Sequence, residues 1–228
     1  MTPPAPLTRD RLRTPRAAAV AGILFSGLLT LAFLLFLSAV PRDPAEHGAW
    51  LASSLDRVVL AINLIPFAGV AFLWFIGVVR DRLGEAEDRL FATVFLGSGL
   101  LFLVLMFVAS AVFGALVLVH VAHPGALGDS PAFALARAFA YTLVNVYAIR
   151  MAGIFVLITS TIALRTAFIA RWLAAPGFAM GLFLLFASPW LDWTFIVFPL
   201  WALLISVYLL VTSLSTQAAG RRAERRGP

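Results

Sequence analysis

The chain contains no cysteine and no lysine, and only 12% of its 228 residues are charged. The absence of cysteine excludes disulfides, thiolate metal sites and cysteine nucleophiles. The absence of lysine excludes a Schiff base, and with it retinal-type pigments and other lysine-based covalent chemistry. All 17 basic residues are therefore arginines.

Apolar residues dominate what is present. They make up 62% of the chain, and the mean hydropathy is +0.98. Soluble domains are about 45–50% apolar and about 25% charged, and a water-soluble surface could not hide this excess. The composition predicts an integral membrane protein.

Six apolar runs predict an all-α fold, a bundle of six transmembrane helices in one domain over residues 17–213. Ser130 followed by Pro131 is typical of a helix N-terminus, so the fourth helix is expected to begin at 131, with an interfacial stretch over 131–140. Basic tails flank the domain, a disordered one over residues 1–16 and a second over 214–228. The predicted spans are Ala17–Val40, Val58–Val79, Phe91–Val119, 141–164, Trp172–Ala187 and Thr194–Ser213.

The third run is longer than a bilayer requires. Phe91–Val119 would reach about 43 Å as a helix, against about 30 Å of hydrocarbon. We expect it to tilt, to kink near Gly97 or Gly114, or to project into the headgroups. Its Gly97-Ser98-Gly99 cluster predicts close packing of two helices. An intramembrane serine protease is excluded, because no histidine comes within reach of Ser98.

The arginines predict an orientation, because short cytoplasmic loops of membrane proteins are rich in basic residues. With the N-terminus inside, 13 arginines lie on the inner side and 3 on the outer side, namely Arg42, Arg57 and Arg137. The composition is typical of high-GC bacteria. The predicted location is the bacterial cytoplasmic (inner) membrane, with both termini in the cytoplasm. Three spans lie on each side of the long outer loop, so an inverted repeat of two three-helix halves remains an alternative.

Arg150 is the one full charge deep within a predicted span, where an unpaired arginine is costly. One interpretation is an anion-binding or gating residue that faces a cavity. The other is a structural arginine that reaches toward the outer interface, since its helix runs inward and side chains lean toward the N-terminus. The candidate polar cavity or structural cluster around it comprises Arg150, Tyr147, Asn63, Asp56 and Asp192. Asn63 has its own alternative role, binding a carbonyl freed by Pro66.

The three histidines, His47, His120 and His123, all fall on the predicted outer side, with Asp43, Glu46 and Asp129 nearby in sequence. Imidazole and carboxylate suit a divalent ion, but Pro124 breaks the helix directly after His123. None of the histidines lies at membrane depth, which disfavours haem ligation. We therefore predict no cofactor and no metal, and leave a metal site at these histidines as the alternative.

The predicted partners are the lipid bilayer and, at the C-terminal arginines, anionic lipid. A homo-oligomer or a partner membrane protein is also possible for a six-helix chain, whereas nucleic acid is not expected, because the arginines follow the membrane-topology pattern. The arginines in question are Arg221, Arg222, Arg225 and Arg226.

Two stretches carry a resemblance. IPFAGVAFLWFIGVVRDRLGEAEDRLFATVFLGSGL (65–100) and IRMAGIFVLITSTIALRTAFIARWLAAPGFAMGL (149–182) resemble those of polytopic integral membrane proteins of high-GC bacteria that have no assigned activity. The resemblance covers most of the spans but not the tails. It implies an inner-membrane location and carries no functional residue over.

Two functions remain open at this point. The first is a non-enzymatic accessory or structural protein of the membrane, in which the polar residues only hold helices together. The second is a transporter or binding protein for a small molecule or ion, with a polar cavity around Arg150. We favour the first, because transporters usually carry more than one charge within the membrane. An enzyme is not expected, since no charged dyad lies at depth.

Overall fold

The computed structural model describes residues 14–41, 48–83, 89–124, 130–166, 171–186 and 194–225. Of these residues 96% are helical, and none forms a strand. The helices are α1 (Thr14–Ala39), α2 (Ala49–Leu83), α3 (Arg89–Ala122), α4 (Pro131–Thr142), a π segment (Leu143–Ala148), α5 (Ile149–Thr166), α6 (Arg171–Phe186) and α7 (Thr194–Arg225).

The described helices confirm the predicted all-α membrane bundle. Five stretches are long and apolar enough to cross a bilayer, with α4, the π segment and α5 acting as one continuous span. A sixth apolar helix is shorter, Trp172–Phe186. Its 15 residues rise about 22 Å, less than the thickness of the hydrocarbon. The five long stretches are Ala19–Ala39, Trp50–Arg80, Leu90–Ala122, Pro131–Leu164 and Thr194–Ser215.

Several helices extend beyond the spans predicted for them, and α2 and α7 do so by more than two turns. The helix α2 begins at Ala49, inside the predicted loop 41–56, because Trp50 and Leu51 are buried against Val58 and Phe133. This segment contains polar residues, so the sequence did not reveal its apolar face, which packs on α4. The helix α7 continues through Arg221, Arg222 and Arg225 of the predicted tail. Residues 14–16 of the predicted disordered tail belong to α1, whereas residues 1–13 and Arg226 lie outside the described residues.

Consecutive spans run in alternating directions. A Cβ on Gly22 of α1 would touch Phe75 of α2 and Ser206 of α7, while Phe33 further along α1 packs on Phe195 of α7. The bundle therefore has two distinct ends. We call the end that holds the first turn of α1 and the last turn of α7 the tail end. The opposite end, which holds the last turns of α1 and α3 and the first turns of α2, α4 and α7, is the loop end.

The middle of the bundle is filled with aromatic rings. Phe72 of α2 lies at their centre, 4.4 Å from Phe25, 5.2 Å from Phe155 and 5.7 Å from Phe198 between ring centroids. Phe102 of α3 packs 4.9 Å from Phe198. These distances are the offset and edge-to-face contacts that aromatic rings prefer. Five helices thus meet in one dry cluster, which we call the aromatic cluster.

Glycine allows the backbones of α5 and α6 to approach each other closely. A Cβ on Gly153 would lie 2.9 Å from the carbonyl oxygen of Gly181, and one on Gly181 3.1 Å from that of Gly153. Such contacts need glycine on both helices. The Gly97-Ser98-Gly99 cluster, which was predicted to allow close helix packing, does so only in part. Gly99 faces Ile76 and Phe155, whereas Gly97 faces open space.

Pro66 leaves a backbone acceptor unused within α2, and a neighbouring helix supplies the donor. Proline has no N–H, so the carbonyl of Ile62, four residues earlier, loses its helical partner. The hydroxyl of Ser110 in α3 donates to this oxygen at 3.4 Å. Asn63 instead donates to the carbonyl of Val59 at 2.8 Å. The freed carbonyl is therefore satisfied between helices, and not by Asn63.

Candidate binding cavity

In the part of the chain that the structure describes, no hydrogen bond or ion pair joins Arg150 to Tyr147, Asn63 or Asp56, which were predicted to surround it. The guanidinium of Arg150 donates to the carbonyl of Val146 in its own helix at 2.8 Å and so points toward the N-terminus of that helix. Tyr147 is 54% exposed. Asn63 and Asp56 are also exposed on α2, and Asp192 lies outside the described residues. Among the described residues, none of this set lines the cavity found nearby.

That cavity lies in the half of the bundle toward the loop end and has a volume of about 170 Å³. Its walls come from the last turns of α1, the middle of α2 and α3, the α4–π junction and the first turn of α7. Apolar side chains form most of the surface, with Phe33, Met106, Phe113 and Phe195 prominent among them. Ala109 and Ala140 leave the space open, since both are buried and end at a methyl group.

Arg137 occupies the loop side of this cavity. Its position follows from the start of α4, where Ser130 accepts a hydrogen bond from the N–H of Phe133 at 3.2 Å, as an N-cap does. Phe133 and Arg137, four residues apart, then share the buried face of α4. Only 3% of Arg137 is exposed. A buried guanidinium is stable only when its charge has partners.

Two partners of Arg137 come from the end of α1 and the start of α2. The guanidinium donates to the carbonyl of Pro41 and lies over the ring of Trp50, 5.5 Å from its centroid. Both contacts suit a cation, one as a charge-assisted hydrogen bond and one as a cation–π interaction. Arg57 of α2 donates to the carbonyl of Ser38 at 2.6 Å. Two arginines thus hold the negative, C-terminal end of α1.

The polar groups deeper in the cavity are already bonded to backbone. Ser110 donates to Ile62, as described, and Asn145 donates to the carbonyl of Tyr141 at 3.1 Å. Asn145 belongs to the π segment, where the N–H of Ile149 donates five residues back to Val144. The wider turn keeps Ala140, Val144 and Ala148, spaced by four, on the inner side of the helix. The surface offered to an occupant is therefore mainly apolar.

The cavity opens on one side and is closed on another. Leu37 of α1 and Tyr141 of α4 both line it, and they are 39% and 47% exposed. Toward the tail end the aromatic cluster closes it, because Phe198 lies one turn after Phe195 and Phe72 two turns after Ile65. The cavity is therefore a blind pocket in the half of the bundle toward the loop end and does not run through the bundle.

Sequence reasoning placed Arg137 only in the count of outer arginines and missed its role. The signal was present, because the Ser130 cap fixes the helix start and puts Phe133, Arg137 and Ala140 on one face. The cavity itself had no such signal. It depends on which helices fail to touch, and single residues do not reveal that.

A metal site at the histidines, the alternative left open by the sequence, finds no support among the described residues. His120 lies in the last turn of α3 and His123 just after it, while His47, Asp43, Glu46 and Asp129 are outside the described ranges. Within those ranges no three metal-ligating side chains come together.

Comparisons with protein families, with curated proteins and with solved structures gave no match.

Proposed function

We propose that this chain is a multi-pass protein of the bacterial cytoplasmic membrane that binds a small apolar molecule, or the apolar part of a larger one, without catalysing a reaction. The tail end would face the cytoplasm, as the arginine distribution favours. The binding site is the cavity beside Arg137. This is the binding alternative of the sequence interpretation, moved from Arg150 to a different place in the bundle.

The volume and lining of the cavity carry the proposal. An engineered apolar cavity of about 150 Å³ in a soluble protein stays dry and binds benzene or xenon. The present cavity has a similar volume, about 170 Å³, and a mainly apolar lining of phenylalanine and aliphatic side chains, but it is open on one side. Empty space of this kind costs stability through lost packing contacts. An occupant would recover them.

The chemistry of the lining supports binding over catalysis. The described residues that line the cavity include Ser110, but no histidine or acid that could activate it. The aromatic cluster on the tail side favours binding over transport, because a substrate would have to pass through packed rings. The accessory interpretation keeps one observation in its favour. Arg150 and Asn63 both bond within their own helices, as residues with a purely structural task do.

Thermal unfolding in the presence of benzene tests the proposal. Benzene that binds the folded state at about ten times its Kd stabilises it by about 1.4 kcal/mol. We expect the melting temperature of the purified protein in detergent to rise with benzene. The variant Ala109→Phe places a phenyl ring in the cavity and should lose this response. Leu118→Phe, at a site 72% exposed, is the matched control and should keep it.

Equal responses of the wild type and Ala109→Phe would contradict the proposal, since benzene would then act through the micelle or another site. No response in the wild type, in a protein that unfolds cooperatively, would contradict it as well.

A further inference from the structure

The opening of the cavity faces sideways, toward the surroundings of the bundle. Its exposed lining residues are Leu37 on α1 and Tyr141 on α4. The helix α1 packs along α2 and α7, whereas α4 packs on α3. The gap thus lies between two helices that line the same space from opposite sides. Residues around it on α1, such as Leu34 and Leu31, are exposed and apolar.

The depth of the opening matches the position of lipid chains. Leu37 lies two residues before the end of α1 and Tyr141 ten residues after the start of α4. Both therefore sit below the loop end, within spans apolar enough for the hydrocarbon core. From Arg137 to Asn145 the cavity wall extends about 12 Å along the helix axis. Of the two exposed lining residues at the opening, only Tyr141 carries a polar group, its hydroxyl.

We infer that the occupant of the cavity is the acyl chain of a membrane phospholipid, which enters from the bilayer between Leu37 and Tyr141. This inference rests on the proposed function and names the ligand class of the same site. An acyl chain is apolar and narrow enough for a lateral gap, and the bilayer supplies it at high local concentration. The cavity is short, so it holds a segment of one chain while the rest remains among the lipids.

The order of polarity along the cavity agrees with this orientation. Arg137 and the Pro41 carbonyl mark its loop side, nearest the membrane surface, and Met106 and Ile65 its deep side. A phospholipid placed in the adjoining leaflet has the same order, with the polar group at the surface and the chain toward the midplane. Water has no such preference, and the deep side offers it few polar partners.

Photocrosslinking with two probes tests the inference. The first probe is a phosphatidylcholine with a diazirine in its acyl chain, incorporated into phosphatidylcholine vesicles that contain the full-length protein. The second is a phenyl diazirine, an apolar molecule of benzene size. Sites of crosslinking are located by peptide mass spectrometry. Leu118, exposed on α3, reports general lipid contact, and Phe72 in the aromatic cluster reports background.

We expect the acyl probe to label Met106, in the deep wall, above the level at Phe72. The variant Ala109→Phe should lower labelling of Met106 about tenfold, a loss of about 1.4 kcal/mol of binding, without changing Leu118. The variant Leu37→Trp should lower it too, by narrowing the opening. It lies at an exposed site, so it keeps the test valid if Ala109→Phe does not fold.

The two probes separate the possible failures. Labelling of Met106 by the phenyl probe but not by the acyl probe would overturn the lipid occupant and leave the proposed function standing. Absence of both labels at Met106, with normal labelling of Leu118, would overturn the inference and the proposed function together.

Discussion

Arg137 and Arg150 show how little the sequence position of a charge says about its role. Arg150 lies deep in a span but only half-buried, and it bonds to a carbonyl four residues earlier. Arg137 lies near the end of its span, yet it is almost fully buried and joins α4 to the ends of α1 and α2. Arg137 thus holds three helices together, whereas Arg150 bonds only within its own helix.

Replacing each arginine by methionine should therefore have unequal effects. For Arg137→Met we expect a loss of about 2–4 kcal/mol, from a charge-assisted hydrogen bond and a cation–π contact. For Arg150→Met we expect about 1 kcal/mol, the value of one hydrogen bond at a half-buried site. Reversible unfolding in mixed micelles measures both. A larger loss at Arg150 would instead indicate a tertiary partner for it.

Glycine at position 153 is required by a backbone contact. In Gly153→Ala the new methyl carbon meets the carbonyl of Gly181 at 2.9 Å, so α5 and α6 must move apart. We expect a loss of about 1–3 kcal/mol, as overpacking causes. Gly97→Ala is the matched control, since a methyl group there meets nothing within 4 Å. It should be neutral or stabilising by up to about 1 kcal/mol, and a destabilised control would show that the loss is not specific to close packing.

At the scale of elements, apolar run length predicted the existence of the helices well and their ends less well. The spans of α1 and α3 follow from uninterrupted apolar sequence, and the start of α4 from Ser130 and Pro131. The first turns of α2 were missed because the short apolar run that contains Trp50 and Leu51 is followed by Ser53, Ser54, Asp56 and Arg57. The π segment was missed because a widened turn depends on packing around Ala140 to Ala148 and has no residue signature of its own.

Pro66 and Ser110 should be energetically coupled. In Pro66→Ala the backbone N–H returns and can donate to the carbonyl of Ile62, which Ser110 now satisfies. Removing the hydroxyl by Ser110→Ala should cost about 0.5 kcal/mol in the wild type, because the bond is long, and close to nothing in Pro66→Ala. A double-mutant cycle on unfolding free energy measures the coupling. Additive effects would mean that the hydroxyl does not serve this carbonyl.

At the scale of the whole molecule, the bundle and its alternating directions were predictable, while the site was not. Hydropathy predicts the membrane helices, because the backbone must satisfy its hydrogen bonds within each span, and the described helices include five long enough to cross and a shorter sixth. The cavity lies between α1 and α4, on the deep side of the Arg137 contact. Its walls are side chains from five helices at once, including the small Ala109 and Ala140. No pattern along one helix encodes it.

The orientation belongs to this scale too, and the absence of cysteine makes it simple to measure. Variants with one cysteine at Ala122, at the loop end, or at Ser215, near the tail end, are treated in intact cells with a membrane-impermeant thiol reagent. We expect Ala122→Cys to react and Ser215→Cys to react only after permeabilisation. The reverse pattern would place the tail end outside and contradict the orientation drawn from the arginines.

Anomalous diffraction from crystals pressurised with xenon tests the central claim, an apolar binding cavity in the loop half of the bundle, most directly. Xenon enters apolar cavities of this size and marks their position without relying on stability. We predict a xenon site among Phe33, Met106 and Phe113 in the wild type, and none there in Ala109→Phe. A cavity that holds neither xenon nor the density of an acyl chain in the wild type, while xenon sites elsewhere are occupied, would contradict the account.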